Sequence, residues 1–332
     1  MPPSVYITAR LPEVSLDRVR GACEPRLRDG TGPLTRSELL ESLGEAAGLL
    51  CGNSAPLDAQ FFAAVPPPLR VIAQVGVGYD NVDLAAATRA GIVITNTPNV
   101  LTNAVADLTL GLIVHVARNL GQFSTFAKSS WGRAPAPSFG VDVHGKTLGI
   151  IGLGRIGRAV AKRAEAFGMR IVFHDLFSEP PPEAAFAEYH SMADLLRQSD
   201  FVTLHVDLNP TTRGFISDGE LALMKPSAFL INTSRGPVVD QPALTRALSG
   251  HRIAGAALDV LAKEPPDPDD PILKLDNAFI LSHIGTATVE TRQAMIDLAV
   301  DNLIAGVSGT VPPTVVNTNV IQRWQVAAQR SH

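Results

Sequence analysis

Short apolar runs alternate with helical patterns along almost the whole chain. Runs this brief, each followed by a helix-length stretch, fit a parallel sheet with helices on its faces and little else. In the first third, strands are predicted at 5–8, 48–51, 70–74 and 92–95, with helices near 35–43, 58–64 and 84–90. Gly91 closes the last of these helices as a left-handed cap. A longer helix is predicted from Thr102 to about Leu120, followed by a Pro/Gly/Ser-rich passage at 131–145. The alternation then resumes, with strands near Ile150 and at 170–174, 201–206, 228–232, 253–258 and 278–281. Six strands with helices between them make one doubly wound α/β domain. The final helix, from Val289 to about Ala305 and ended by Gly306, has no strand of its own to follow. It is expected to return the chain to the first domain, which is thereby discontinuous. The expected division is 1–98 with 287–332 for the first domain and 99–286 for the second.

Composition narrows the class. The chain has 332 residues, 45% of them hydrophobic and 18% charged, enough apolar material for two packed cores. A formal net charge of −4 argues against a polybasic surface for nucleic acid or anionic lipid. Cys23 and Cys51 are too few for a disulfide framework or a cysteine-rich metal site, so a reduced, cytoplasmic protein with no bound metal is expected. The most apolar stretch, 108–117, falls short of the roughly 20 residues of a membrane span. The first residues lack the pattern of a signal peptide.

One loop points to a ligand. Gly152-Leu153-Gly154-Arg155-Ile156-Gly157 follows an apolar strand and opens a helix that runs to about Phe167. The first glycine permits a tight turn, the second lets backbone approach a pyrophosphate, and the third lets helix and strand pack closely. Free N–H groups and the helix dipole near Arg155 and Ile156 favour phosphate charge. Asp175 lies after the next strand, 18 residues beyond Gly157. An acid there accepts the adenosine-ribose hydroxyls and repels a 2′-phosphate, so NAD is preferred over NADP. Arg155 and Arg158 are the nearby cations that keep NADP possible.

Three strand ends carry reactive groups. His283 ends the last predicted strand, Arg235 follows the 228–232 strand, and Asp259 and Glu264 follow the 253–258 strand. In open α/β sheets the ligand crevice lies outside the carboxyl ends of the strands. Arginine, carboxylate and histidine beside a nicotinamide fit reduction of a 2-oxo acid. Arg235 would hold the substrate carboxylate by a bidentate pair. His283 would give a proton to the carbonyl oxygen as hydride arrives, and Glu264 would orient the imidazole and favour its charged form. The other seven histidines read as structural or surface residues.

The chain resembles the D-isomer-specific 2-hydroxyacid dehydrogenases over nearly its full length, and among them the glyoxylate/hydroxypyruvate reductases. The resemblance rests on Val75-Gly76-Val77-Gly78-Tyr79-Asp80, Thr97-Pro98-Asn99-Val100, the glycine loop, Asn232 to Gly236, Leu258-Asp259-Val260 and His283-Ile284-Gly285-Thr286. The stretch Ala299-Val300-Asp301-Asn302-Leu303 resembles the branch that also reduces 2-ketogluconate. The resemblance implies a Rossmann cofactor domain and a flavodoxin-like substrate domain, closing on one another about hinges near 98–102 and 285–288. It implies Arg235, Glu264 and His283 as the catalytic trio. It implies that backbone amides around Val75, Gly76, Val77 and Gly78 help bind the substrate carboxylate. Arg155, Ile156, Asp175, Val206, Thr233, Arg235, Asp259, His283 and Gly285 fall where the family meets the dinucleotide, Asp259 near the nicotinamide carboxamide. The helix 102–120 and the segment 131–145 resemble its dimerisation region, implying a homodimer.

Several positions depart from the family's usual pattern. Ser282 and Asp207 stand where proline is common, and Arg133 to Pro135 occupy the place of a partner-donated tryptophan. Related enzymes acting on 2-ketogluconate, phosphoglycerate or bulkier 2-oxo acids are the nearest alternatives, and a dinucleotide-binding corepressor is a more distant one. Gly52, Asn53 and Ser54, small and polar, hint at hydroxylated substrates.

Overall fold

The computed structural model describes residues 2–30, 32 and 34–329. The chain forms two compact units, one made of the residues up to Leu101 and from Thr288 onward, the other of Thr102–Ala287.

The first unit runs β1 (Ser4–Ile7), α1 (Glu13–Ala22), β2 (Glu24–Leu27), α2 (Arg36–Leu43), β3 (Gly48–Gly52), α3 (Ala59–Ala64), β4 (Val71–Val75), α4 (Leu84–Arg89) and β5 (Val93–Thr95). Its strands are parallel in the order β2-β1-β3-β4-β5, the flavodoxin-like order. The inner strands are buried except for one end residue each, which is why they read as continuous apolar runs. β2 escapes that reading. It is an edge strand of sequence Glu-Pro-Arg-Leu, mostly exposed, and an edge tolerates both charge and proline.

The second unit opens with α5 (Thr102–Ala117) and α6 (Leu120–Ser129). Its sheet follows: β6 (Thr147–Ile151), α7 (Arg155–Ala166), β7 (Arg170–His174), β8 (Glu188–Tyr189), α8 (Met192–Gln198), β9 (Phe201–Leu204), α9 (Asp218–Leu223), β10 (Phe229–Asn232), α10 (Gln241–Ser249), β11 (Gly255–Leu258) and β12 (Ala278–Ile280). The order is β12-β11-β10-β9-β6-β7-β8, all parallel, and the direction of winding reverses between β6 and β9. Alternate residues feed two cores, Ile151, Val202 and Leu230 on one face and Ile150, Phe201 and Ile231 on the other. Register is even: Ile151 pairs with Leu204, Asn232 with both Leu204 and Leu258, and Leu258 with Ile280. The loops after β6, β9, β10, β11 and β12 therefore emerge along one rim.

The expected helix 102–120 is α5, ending at Ala117, and a second helix, α6, follows it from Leu120. Asn119 takes a left-handed backbone, φ 52°, and the N–H of Val141 takes the carbonyl of Ala117 at 2.7 Å, which closes α5. A seventh strand, the two-residue β8, extends the six expected.

The chain then returns to the first unit as α11 (Val289–Val307) and α12 (Ile321–Gln329). Gly306, expected to end α11, lies inside it. It is there for closeness, since an added Cβ would fall 2.6 Å from Val71 Cβ on β4. Beyond α11, Val315 bridges Thr95 in antiparallel fashion, and the N–H of Ile94 donates to Asn317 Oδ1 at 2.8 Å. This segment covers the open edge of β5. Trp324 on α12 is buried and donates from Nε1 to the carbonyl of Arg70 at 3.1 Å.

Candidate active site

The glycine loop after β6 is built as its spacing predicts. Gly152 has φ 94°, and a Cβ on it would lie 2.7 Å from the carbonyl oxygen of His205; one on Gly157 would collide with the carbonyl of Gly152. These two glycines are needed by the protein itself. At Gly154 a Cβ would meet nothing. That open space stands at the start of α7, whose N-cap Gly154 provides no side-chain cap to its first N–H groups. A pyrophosphate fits there on both counts. Val206 packs its side chain against Gly152. Asp175, after β7, accepts from the N–H of Leu153 at 2.6 Å and from that of Leu176 at 2.7 Å, so it ties the loop to the neighbouring strand end. Arg158 is engaged by Glu183 at 3.2 Å.

At the other end of the rim, His283 Nδ1 lies 2.8 Å from Glu264 Oε2. Both side chains are partly open, at 42% and 38% exposure. The second carboxylate oxygen of Glu264 accepts from the N–H of Leu261 at 3.0 Å. Half-burial raises the pKa of Glu264. The hydrogen bond and charge of His283, the Leu261 amide and nearby Arg235 outweigh that, and the net effect is downward. His283 itself holds a left-handed backbone, φ 58°, uncommon for a residue with a side chain.

Asp259 explains how that backbone is held. It is 1% exposed, and its two carboxylate oxygens accept from the N–H groups of Ile284 at 2.7 Å and Gly285 at 2.8 Å. Its carbonyl accepts from the N–H of His283 at 2.8 Å, while its own N–H donates to Asn232 at 2.9 Å. Loss of solvation is the main reason its pKa is raised. The residue expected at the nicotinamide carboxamide is thus also the clamp of the histidine loop.

Asn232, buried at the end of β10, shapes the arginine turn. Its Nδ2 donates to the carbonyl of Arg235 at 2.9 Å, and its Oδ1 accepts from the N–H and Oγ of Ser234 at 3.0 and 2.9 Å. Gly236 then presses on the backbone of Leu261, where any Cβ would collide, so the turns carrying Arg235 and Glu264 adjoin. Thr109 on α5 donates to Val105, so the 3.0 Å contact between the two hydroxyls is a donation from Thr233. The sequence signals Arg235, Glu264 and His283 by their places at strand ends. The role of Thr109 it does not, because Thr233 lies 124 residues along the chain, nor that of Asn232, whose bonds within its own turn leave no mark in residue spacing.

In the first unit, Val75, Gly76, Val77 and Gly78 form the turn after β4. Gly76 adopts φ 153° and donates its N–H to Thr97 Oγ1 at 3.0 Å, so that amide is turned inward. Asn53 lies directly under Gly76 and accepts from Gln74 Nε2 at 3.0 Å, which makes it a prop for this turn.

Two other histidines, His205 and His115, have local explanations, and His332 lies outside the described residues. Burial pushes His205 down to about 3, and its Nε2 meets Thr203 Oγ1 at 3.0 Å. His115 stacks on Phe279 at 3.6 Å. Among the described residues no cluster of His, Cys, Asp and Glu could hold a metal, and no helix is long and apolar enough to cross a membrane.

Fold and rim define a class: a doubly wound dinucleotide-binding unit with a histidine–carboxylate pair at its strand ends, carried in one chain with a flavodoxin-like unit. The chain belongs to the D-isomer specific 2-hydroxyacid dehydrogenase family, whose NAD binding domain matches residues 110–285. It is an oxidoreductase of that family. A relative from Korarchaeum cryptofilum, named glyoxylate reductase, is 42% identical over 97% of this chain and 98% of its own length. A solved structure from Thermus thermophilus is 42% identical with a TM-score of 0.87, covering 94% of this chain and 99% of that one. An NADPH-dependent glyoxylate/hydroxypyruvate reductase from Sinorhizobium meliloti, solved with NADP and malonate, is 34% identical with a TM-score of 0.85, covering 95% and 97%.

Proposed function

We propose that this chain reduces small 2-oxo acids, glyoxylate and hydroxypyruvate first, to 2-hydroxy acids with NADH. The observation that carries the reading is the 2.8 Å His283–Glu264 pair beside the Arg235 turn. The names of the Korarchaeum and Sinorhizobium relatives support the substrate class.

The bound dihydronicotinamide supplies the hydride. Gly152, Gly154, Arg155, Ile156 and Gly157 would hold the pyrophosphate, Asp175 the ribose, and Val206, Thr233, Asp259 and Gly285 the rest of the coenzyme. Arg235 pairs with the substrate carboxylate through its planar fork. The amides of Val77 and Gly78 are the first unit's own donors for an anion. Glu264 occupies Nδ1 of His283 and so leaves Nε2 for the substrate. From Nε2 the proton passes to the carbonyl oxygen as that oxygen gains charge. NADH is favoured because Asp175 repels a 2′-phosphate and Glu183 already engages Arg158. The buried, free thiols of Cys23 and Cys51 fit the cytoplasm. Trp131 and Phe139, 75% and 95% exposed, fit a face covered by a second copy, a homodimer whose mass in solution is the check.

Initial rates with glyoxylate, hydroxypyruvate and 2-ketogluconate, each with NADH and NADPH, test the reading on the wild type and two variants. The wild type should favour the two small acids with NADH. His283→Ala should lose roughly 10²–10⁴-fold in kcat while still binding NADH. Asp175→Ala should weaken NADH and narrow its advantage over NADPH. Full turnover by His283→Ala would remove that residue as the proton donor.

A further inference from the structure

The turn after β4 has a fixed pattern of peptide orientation. In a trans peptide the C=O and the following N–H point opposite ways. Among the described residues the one cis bond is Glu264–Pro265, so the turn is trans throughout. Three successive carbonyls in it are each taken by a donor of the same unit. The carbonyl of Gly76 accepts the N–H of Thr97 at 2.8 Å, that of Val77 accepts Asn96 Nδ2 at 2.8 Å, and that of Gly78 accepts Gln74 Nε2 at 2.5 Å. All three donor residues are buried. The N–H groups of Val77, Gly78 and Tyr79 are therefore directed away from those buried partners. Successive amides aimed outward from a turn are an anion-binding arrangement.

Nothing in the turn's own sequence enforces this. Gly76 and Gly78 leave the backbone permissive, and a rotated peptide plane would present a carbonyl oxygen where an anion needs an N–H. We propose that Asn96 and Gln74 are positioning residues for substrate recognition: they lock the Val77–Gly78 and Gly78–Tyr79 peptides so that the N–H groups face a carboxylate. The proposal rests on the 2-oxo acid reading and extends it with two residues and a third donor, the Tyr79 amide. Asn96 is itself anchored. Its carbonyl accepts from Thr314 Oγ1 at 2.6 Å and from Asn302 Nδ2 at 3.3 Å. The turn's geometry is thus set from α11 and the segment after it, more than 200 residues along the chain.

Asn96→Asp and Gln74→Glu test this, because each keeps the size of the side chain and removes the N–H donor. Oxalate is the probe, titrated by calorimetry against wild type and variants saturated with NADH, alongside KM for glyoxylate and for NADH. A lost donor behind a charged recognition should weaken oxalate and raise the glyoxylate KM by about 10-fold or more, with the NADH KM within about two-fold. A merely structural role would lower the melting temperature without that split. Wild-type oxalate binding with unchanged affinity in the folded variants overturns the positioning role and leaves the 2-oxo acid reading standing. No oxalate binding by the wild type overturns both. Should one variant fail to fold, the other carries the test through its own carbonyl.

Discussion

Glu264 sits under opposing influences. Half-burial pushes its pKa up, while the His283 contact, the Leu261 amide and Arg235 pull it down further, leaving it below the usual carboxylate range. A carboxylate depressed on folding stabilises the native state above its unfolded pKa, and that contribution is lost as pH falls through the folded value. Glu264→Gln should therefore lower the melting temperature above roughly pH 5 and match the wild type in stronger acid. Because the pair is partly exposed, the effect should be small and should shrink with salt. A melting difference that persisted unchanged to the acid end would show that the charge on Glu264 contributes nothing. At this scale the sequence displays Arg235, Glu264 and His283 because they follow strand ends, where open α/β sheets take their ligands. It hides the left-handed backbone of His283 and the clamp by Asp259. Those depend on which backbone N–H a buried carboxylate reaches, and residue spacing does not encode that.

The elements were legible where burial makes a periodic pattern. The inner strands and the amphipathic α7 read directly. The strands β2 and β8 and the helix α6 did not. Both strands are edges, with mostly exposed side chains, and α6 buries none of its residues. Without a buried face, an element leaves no periodic trace. Gly306 shows the opposite failure: a residue that usually ends helices here lets one approach a sheet. Gly306→Val should force α11 away from Val71 and cost on the order of 1–3 kcal/mol. Thermal melts check this, and an unchanged midpoint would mean that α11 shifts freely on β4. Gly154→Ala makes the contrast. With open space around it, its stability should stay close to wild type, and NADH affinity should be the quantity that falls.

At the scale of the molecule, the first unit is closed by chain that arrives after the whole of the second. Thr314 and Asn302 hold Asn96, Asn317 caps the backbone of β5, and Trp324 fills the core beside β1 and β4. The sequence revealed that the chain returns, because the last long helix has no strand to serve. It did not reveal α12, where the exposed Gln322, Arg323 and Gln325 surround the buried Trp324. Ending the chain after Pro313 would uncover the edge of β5 and remove Trp324, whose loss alone costs about 3–5 kcal/mol. That is comparable with the roughly 5–15 kcal/mol that holds a domain folded. The shortened chain should bind NADH within about two-fold of the full chain, because the glycine loop and Asp175 belong to the second unit. It should lose glyoxylate turnover, and limited proteolysis should cut within residues 2–101 first. Retained turnover would mean that the first unit holds the turn after β4 without the returning segment, and lost NADH binding would mean that the second unit depends on the first for its fold.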